Sequence, residues 1–192
     1  MFREHGAELS LRRWSACVGT VGGFDPAAEL SALTGRPVER AAAERRAAEV
    51  ERDLRAGTGL RPGVAGYLAE GRARGLRLGI VSSSSTGWIE ANLRAVGAGR
   101  AFDVIRAAEG DARVAKPRPD LYLAALADLS IGPDEAVAFE DSPNGVAAAK
   151  AADLFCVAVP NPVTATLDLS AADLRVGALA DLPLPDLLAR LG

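Results

Sequence analysis

The chain has 192 residues, 49% hydrophobic and 24% charged, with a formal net charge of -3, a mean hydropathy of +0.12 and a pI near 5.3. That length can bury a real core in one domain with a small appendage. The acidic balance argues against a nucleic-acid binder, and no apolar run approaches the roughly 20 residues of a membrane span. Two distant cysteines, Cys17 and Cys156, form neither a metal-ligand spacing nor a disulfide framework. The opening Met1 to Gly6 lacks the apolar core of a signal peptide, so a cytoplasmic location is the expectation.

Residues 1–57 are rich in Ala, Arg and Glu and contain no convincing strand; they are expected to form a small helical unit, with 58–192 as the second domain. Met1 to Trp14 reads as a first helix. Val38 to Arg55 reads as another, supported by Arg40/Glu44, Arg45/Glu49 and Glu51/Arg55 at i,i+4 spacing. Gly57 to Gly63 interrupts both helix and strand and reads as a linker. From there helices alternate with short apolar runs. Val64 to Arg74 is a helix, Leu76 to Val81 a strand, Trp88 to Val96 a helix and Phe102 to Ile105 a strand. Pro119 to Leu129 is a helix, Ala136 to Phe139 a strand, Asn144 to Ala152 a helix and Phe155 to Val159 a strand. A weak strand near Leu174 to Val176 and a short helix from Pro185 close the chain. This alternation predicts an α/β fold, a Rossmann-like parallel sheet with helices on both faces.

Parallel α/β sheets bind ligands at the carboxyl ends of their strands, and three such ends carry reactive side chains. Ser82 and Ser83 follow the first apolar strand, where hydroxyls and backbone N–H groups at a helix start favour an anion; serines there equally serve as turn and cap residues. Lys116, in Lys116-Pro117-Arg118-Pro119, can pair with phosphate as a point charge, although a Lys-Pro loop is more often plain surface. Glu140-Asp141 directly follows a buried strand and offers hard oxygen ligands suited to Mg²⁺; an Asp here can also simply cap the next helix.

Taken together, Ile80-Val81-Ser82-Ser83-Ser84, Lys116-Pro117-x-Pro119-x-x-Tyr122 and Phe139-Glu140-Asp141-Ser142-x-Asn144-Gly145 resemble the haloacid dehalogenase-like hydrolase superfamily. More narrowly, they are similar to its phosphatase and β-phosphoglucomutase-like branch with a small helical cap. Val159-Pro160-Asn161 and Arg61-Pro62-Gly63-Val64 fit as well, so the resemblance covers almost the whole chain. It implies that Ser82 binds phosphoryl oxygens with Ser83 beside it, that Lys116 neutralises charge between nucleophile and phosphate, and that Asp141 with Glu140 holds Mg²⁺. It implies a small phosphorylated metabolite as partner, no nucleic acid, no membrane and a monomer. Thr20 and Asn144 are candidate substrate contacts. Where sugar-phosphate mutases of the branch carry an arginine, this chain has Gly22 and Gly23, which favours hydrolysis of a small phosphate monoester over the mutase alternative.

The family's route through an aspartyl-phosphate also needs an Asp-x-Asp segment after a first strand, and no such segment precedes the cap-like helices here. Asp25, Asp103 and Asp111 are not placed to act as nucleophile. Either the natural start lies upstream, which the intact downstream motifs favour, or the polypeptide is truly this short. The 192-residue chain is therefore expected to lack its first core strand and to be inactive, with a non-catalytic phosphate-binding remnant as the alternative.

Overall fold

The structure, a computed structural model, describes residues 1–15, 17–19 and 21–192. They fall into two units, Met1–Val18 with Gly22–Gly59, and Gly19–Val21 with Leu60–Gly192.

In the first unit the expected helix over Met1 to Trp14 is broken. A 3-10 turn spans Phe2–His5 and α1 spans Leu11–Ser15. Gly6, at a φ of 69°, closes the turn in a left-handed conformation that other residues adopt at a cost. Helix α2, Pro26–Thr34, begins at Asp25, whose Oδ1 accepts the Ala27 and Ala28 N–H groups at 3.0 Å each; Asp25 caps this helix. Helix α3, Arg40–Arg55, is nearly all alanine and charge, so it forms readily but has little to bury. It contributes Ala43 to the interior, while Leu54 is 73% exposed. Arg40–Glu44 and Glu51–Arg55 pair as expected. Arg45 instead reaches Glu39, and Glu49 takes Arg46. Arg46 also grips Glu4 through two hydrogen bonds of 3.0 and 2.6 Å, which tie the chain start to α3 and pull the Glu4 carboxyl down to about 2.

The second unit is the expected α/β alternation. Its elements are α4 (Val64–Ala73), β1 (Gly79–Ser82), α5 (Thr86–Ala95), β2 (Val104–Ala107), α6 (Asp120–Leu129), β3 (Val137–Glu140), α7 (Pro143–Ala151), β4 (Phe155–Ala158), β5 (Leu174–Arg175) and α8 (Leu184–Leu191). Every ladder is parallel. The sheet comes in two pieces, β1-β2 and β3-β4-β5, and among the described residues no ladder joins β1 to β3. Strand β1 begins later than its apolar run. The Leu76 N–H closes the turn after α4 on the Gly71 carbonyl at 2.9 Å, and the Leu78 N–H goes to Asp103 Oδ2 at 2.8 Å.

Strand β4 alternates between two cores. Cys156 and Ala158 face α7 with Ala148, Ala149 and Ala152, whose small side chains admit close helix–sheet packing. Val157 and Val159 face Leu184 and Leu187 of α8. Burial on both faces explains why this strand reads as an unbroken apolar run. Gly63, at a φ of 88°, admits the backbone at Leu179 and Ala180, which a Cβ would strike.

Candidate active site

Two strand ends and one loop meet at one place. Ser82 closes β1, Glu140 and Asp141 close β3, and Lys116 comes from the loop before α6; all four line one cavity of about 500 Å³.

Lys116 is buried, and its ammonium donates to the Val81 carbonyl at 2.8 Å and to Glu140 Oε1. The Tyr122 hydroxyl, on the first turn of α6, donates to the same Oε1, and its ring centroid lies 5.2 Å from Lys116 Nζ. Burial, then the Glu140 charge, pushes the Tyr122 phenol well above its ordinary value, so it remains a donor. An ammonium carries three donors; Val81 and Glu140 take two, which leaves one for an anion. Gly145 is required opposite Glu140, because a Cβ there would collide with Oε2.

This geometry turns Glu140 inward. There it is the counter-ion of Lys116: an unpaired buried ammonium is costly, and the adjacent carboxylate offsets it. Asp141 is held differently. Its Oδ2 accepts the Asn161 amide N–H at 2.7 Å, and Asn161 Oδ1 in turn accepts the Val163 and Thr164 N–H groups at 2.8 and 3.1 Å, which fixes the amide's orientation. Among the described residues no three His, Cys, Asp or Glu side chains cluster as a metal site. One carboxylate still fits Mg²⁺, which binds through one or two carboxylates and keeps several waters.

The serines divide their tasks. Ser82 Oγ accepts the Ser84 N–H at 3.1 Å and lines the cavity. Ser83 Oγ accepts the Lys116 N–H at 3.2 Å and donates to the Gly19 carbonyl at 3.4 Å, so this hydroxyl braces the lysine loop instead of facing the cavity. The cap of α5 is Ser85, which accepts the Trp88 N–H at 3.3 Å, and Ser142 caps α7 on the Gly145 N–H at 3.2 Å. Asn144 lies in the first turn of α7, outside the cavity lining, and Thr20 lies outside the described residues.

Three contributors were not singled out by residue type. Tyr122 and Asn161 stand inside recognised motifs, but only the folded chain shows what they hold. Arg61 lines the cavity and donates to the Val159 and Pro160 carbonyls at 2.9 and 2.5 Å, latching the exit of β4; an arginine in an Arg-Pro-Gly turn carries no signal for this.

Comparison with known proteins agrees with this architecture. The family model for haloacid dehalogenase-like hydrolases matches residues 12–153. YhcW of Bacillus subtilis (strain 168) is 38% identical across all of this chain and 86% of its own length. Validoxylamine A 7'-phosphate phosphatase of Streptomyces hygroscopicus subsp. limoneus is 30% identical over 82% of this chain and 73% of its own. A crystal structure of CbbY from Rhodobacter sphaeroides in complex with xylulose-(1,5)bisphosphate superposes with a TM-score of 0.73 at 31% identity, covering 94% of this chain and 84% of that one. By sequence, the chain matches about half the length of curated CbbY proteins. The chain belongs to the haloacid dehalogenase-like hydrolases, and its relatives lie in the phosphatase branch. No helix of the described residues is long and apolar enough to cross a membrane.

Proposed function

We propose that this chain is the phosphate-handling body of a phosphatase for small phosphorylated metabolites. The observation that carries the reading is the convergence of Ser82, Lys116 and Asp141 on one cavity, with Lys116 fixed by Glu140 and one ammonium donor left over. The CbbY structures, one with a sugar bisphosphate and one with phosphate, support it. In this reading Ser82 donates its hydroxyl to a phosphoryl oxygen and Lys116 neutralises the phosphoryl charge, the kind of positioning that phosphoryl transfer mostly requires. Asp141 would hold Mg²⁺, which when bound would offset negative charge on the phosphoryl oxygens. The first unit serves as the cap that selects the leaving group.

An aspartyl-phosphate route requires a carboxylate free to attack phosphorus. Among the described cavity residues Glu140 is bound by Lys116 and Tyr122, and Asp141 is bound by Asn161. These 192 residues by themselves therefore bind phosphate without turning over an ester. With Mg²⁺, they should take up inorganic phosphate in calorimetry and leave p-nitrophenyl phosphate intact. Ser82→Ala should weaken phosphate binding about tenfold, the scale of one hydrogen bond to a charged group. Robust hydrolysis by these residues alone would overturn the inactivity; undiminished phosphate binding by Ser82→Ala would overturn the site.

A further inference from the structure

Asp141 is held by a loop, and that loop is held by an arginine. Strand β4 ends at Ala158, and Val159, Pro160 and Asn161 carry the chain away from it. The Asn161 side chain uses both ends of its amide. Its Oδ1 accepts the Val163 and Thr164 N–H groups at 2.8 and 3.1 Å, so its Nδ2 is the end left to donate to Asp141 Oδ2, at 2.7 Å. An amide turned over would set its own N–H groups against two backbone donors, so only this orientation satisfies both sides. The turn beneath it is closed as well. The Asn161 N–H donates to Thr164 Oγ1 at 3.0 Å, the Asn161 carbonyl accepts the Thr164 and Ala165 N–H groups at 3.0 and 2.8 Å, and Thr164 is wholly buried.

Arg61 grips the two residues before this turn. Its guanidinium donates to the Val159 carbonyl at 2.9 Å and to the Pro160 carbonyl at 2.5 Å, and among the described residues no other donor reaches either oxygen. Two successive carbonyls suit a rigid planar fork; the compact ammonium of a lysine is a single point charge and does not reproduce it.

We infer that Arg61 and Asn161 are positioning residues for the divalent cation that Asp141 would hold. Arg61 sets the Val159 and Pro160 carbonyls, this places Asn161, and Asn161 fixes the Asp141 carboxylate by one of its two oxygens. Among the described residues Asp141 Oδ1 accepts no hydrogen bond, so one oxygen is occupied and one is available. Mg²⁺ demands near-octahedral geometry, and it gains most from a carboxylate whose rotation is fixed in advance. The inference rests on the reading of Asp141 as the Mg²⁺ ligand and adds two residues that act through it.

Charge gives the test its sign. Arg61 is itself a cation and lines the same cavity as Asp141. If it supplied charge alone, removing it would relieve repulsion and tighten cation binding; a positioning role requires the reverse. The probe is Mn²⁺ alone, which shares the oxygen ligands and octahedral geometry of Mg²⁺. Its binding to the 192-residue chain is followed by loss of the free-ion electron paramagnetic resonance signal, with phosphate absent. Asp141→Asn should abolish binding, and Asn161→Ala should weaken it about tenfold or more. Arg61→Met and Arg61→Lys should each weaken it about threefold, because Arg61 is exposed and such bonds have a modest net worth. Asn161→Ala also strips the turn of its acceptor, so the conservative surface change Arg61→Lys is the deciding variant. In a second measurement, Mg²⁺ should shift the Asn161 side-chain amide resonances in the parent chain and leave them in place in Asp141→Asn. Tighter binding by Arg61→Met, unchanged binding by Arg61→Lys, or Asn161 resonances indifferent to Mg²⁺ would each overturn the inference and leave the phosphatase reading standing. Mn²⁺ binding that survives in Asp141→Asn, or a parent chain that takes up inorganic phosphate but no Mn²⁺, would overturn it together with the cation role of Asp141.

Discussion

Asp103 and Asp173 hold the same place in the two halves of the sheet. Each precedes the last strand of its half, and its carboxylate accepts an N–H from the neighbouring strand's line: Leu78 for Asp103 and Cys156 for Asp173, at 2.8 and 2.7 Å. Each returns its own N–H to that same residue's carbonyl, at 2.7 and 3.0 Å. Each also binds a cation, Arg72 in one case and Lys150 in the other. The local device is the same, and the surroundings are opposite. Cys156, Val157 and Ala158 of β4 are wholly buried, whereas β1 is half-buried along most of its length and lacks a partner on one edge among the described residues. A reciprocal Asp pairing sets register; burial follows from what packs above, below and beside the strand.

The sharpest way to break the comparison is at the Lys116–Glu140 pair that bridges the halves. Glu140→Ala strands a buried ammonium and should cost about 3–5 kcal/mol in urea denaturation, with Glu140→Ala/Lys116→Met less destabilised than the single variant. An additive double variant would show that the pair does not couple the halves. Next in size is truncation inside the closed half against truncation in the open one. Leu187→Ala, at a fully buried position, should cost about 2–5 kcal/mol, and Ile80→Ala roughly 1 kcal/mol, because a half-exposed site leaves no sealed cavity. Equal losses would mean that the open half is closed in solution. The smallest effect is on pH. Burial works to raise the Asp173 carboxyl, but the Lys150 ammonium and the Cys156 N–H outweigh it and hold it below its ordinary 3.8. A depressed carboxyl stabilises the fold above its unfolded value, and this stabilisation is lost as pH falls through the folded one. Asp173→Asn should therefore flatten the loss of stability below about pH 4, and an unchanged acid limb would remove Asp173 from the account.

Much of this was legible in the sequence because it depends on local pattern. The strand from Phe155 ends within a residue of its apolar run, and Ser82 and Glu140 close the strands expected to lead to them, while Lys116 lies in a loop well beyond β2. Boundaries slipped where a side chain from elsewhere took over a backbone group, as Asp103 does at Leu78. Helix α2 was not among the expected elements, although Asp25-Pro26, a cap followed by a proline in the first turn, was a signal for it. The inward turn of Glu140 left no trace in the sequence. Two adjacent acids look alike on paper, and one met Lys116 and Tyr122 while the other met Asn161.

The sequence by itself determined the alternation of helix and strand, the parallel sheet and the residues that close each strand, because hydrophobic period and turn chemistry are properties of neighbours along the chain. Only the tertiary structure decided which acid pairs with the lysine, which serine braces a loop and which faces the cavity, and that the sheet stands in two pieces with an apolar slot between them. Those outcomes depend on residues dozens of positions apart competing for the same hydrogen bonds, and on whether a strand edge finds a partner, neither of which is written in any local window.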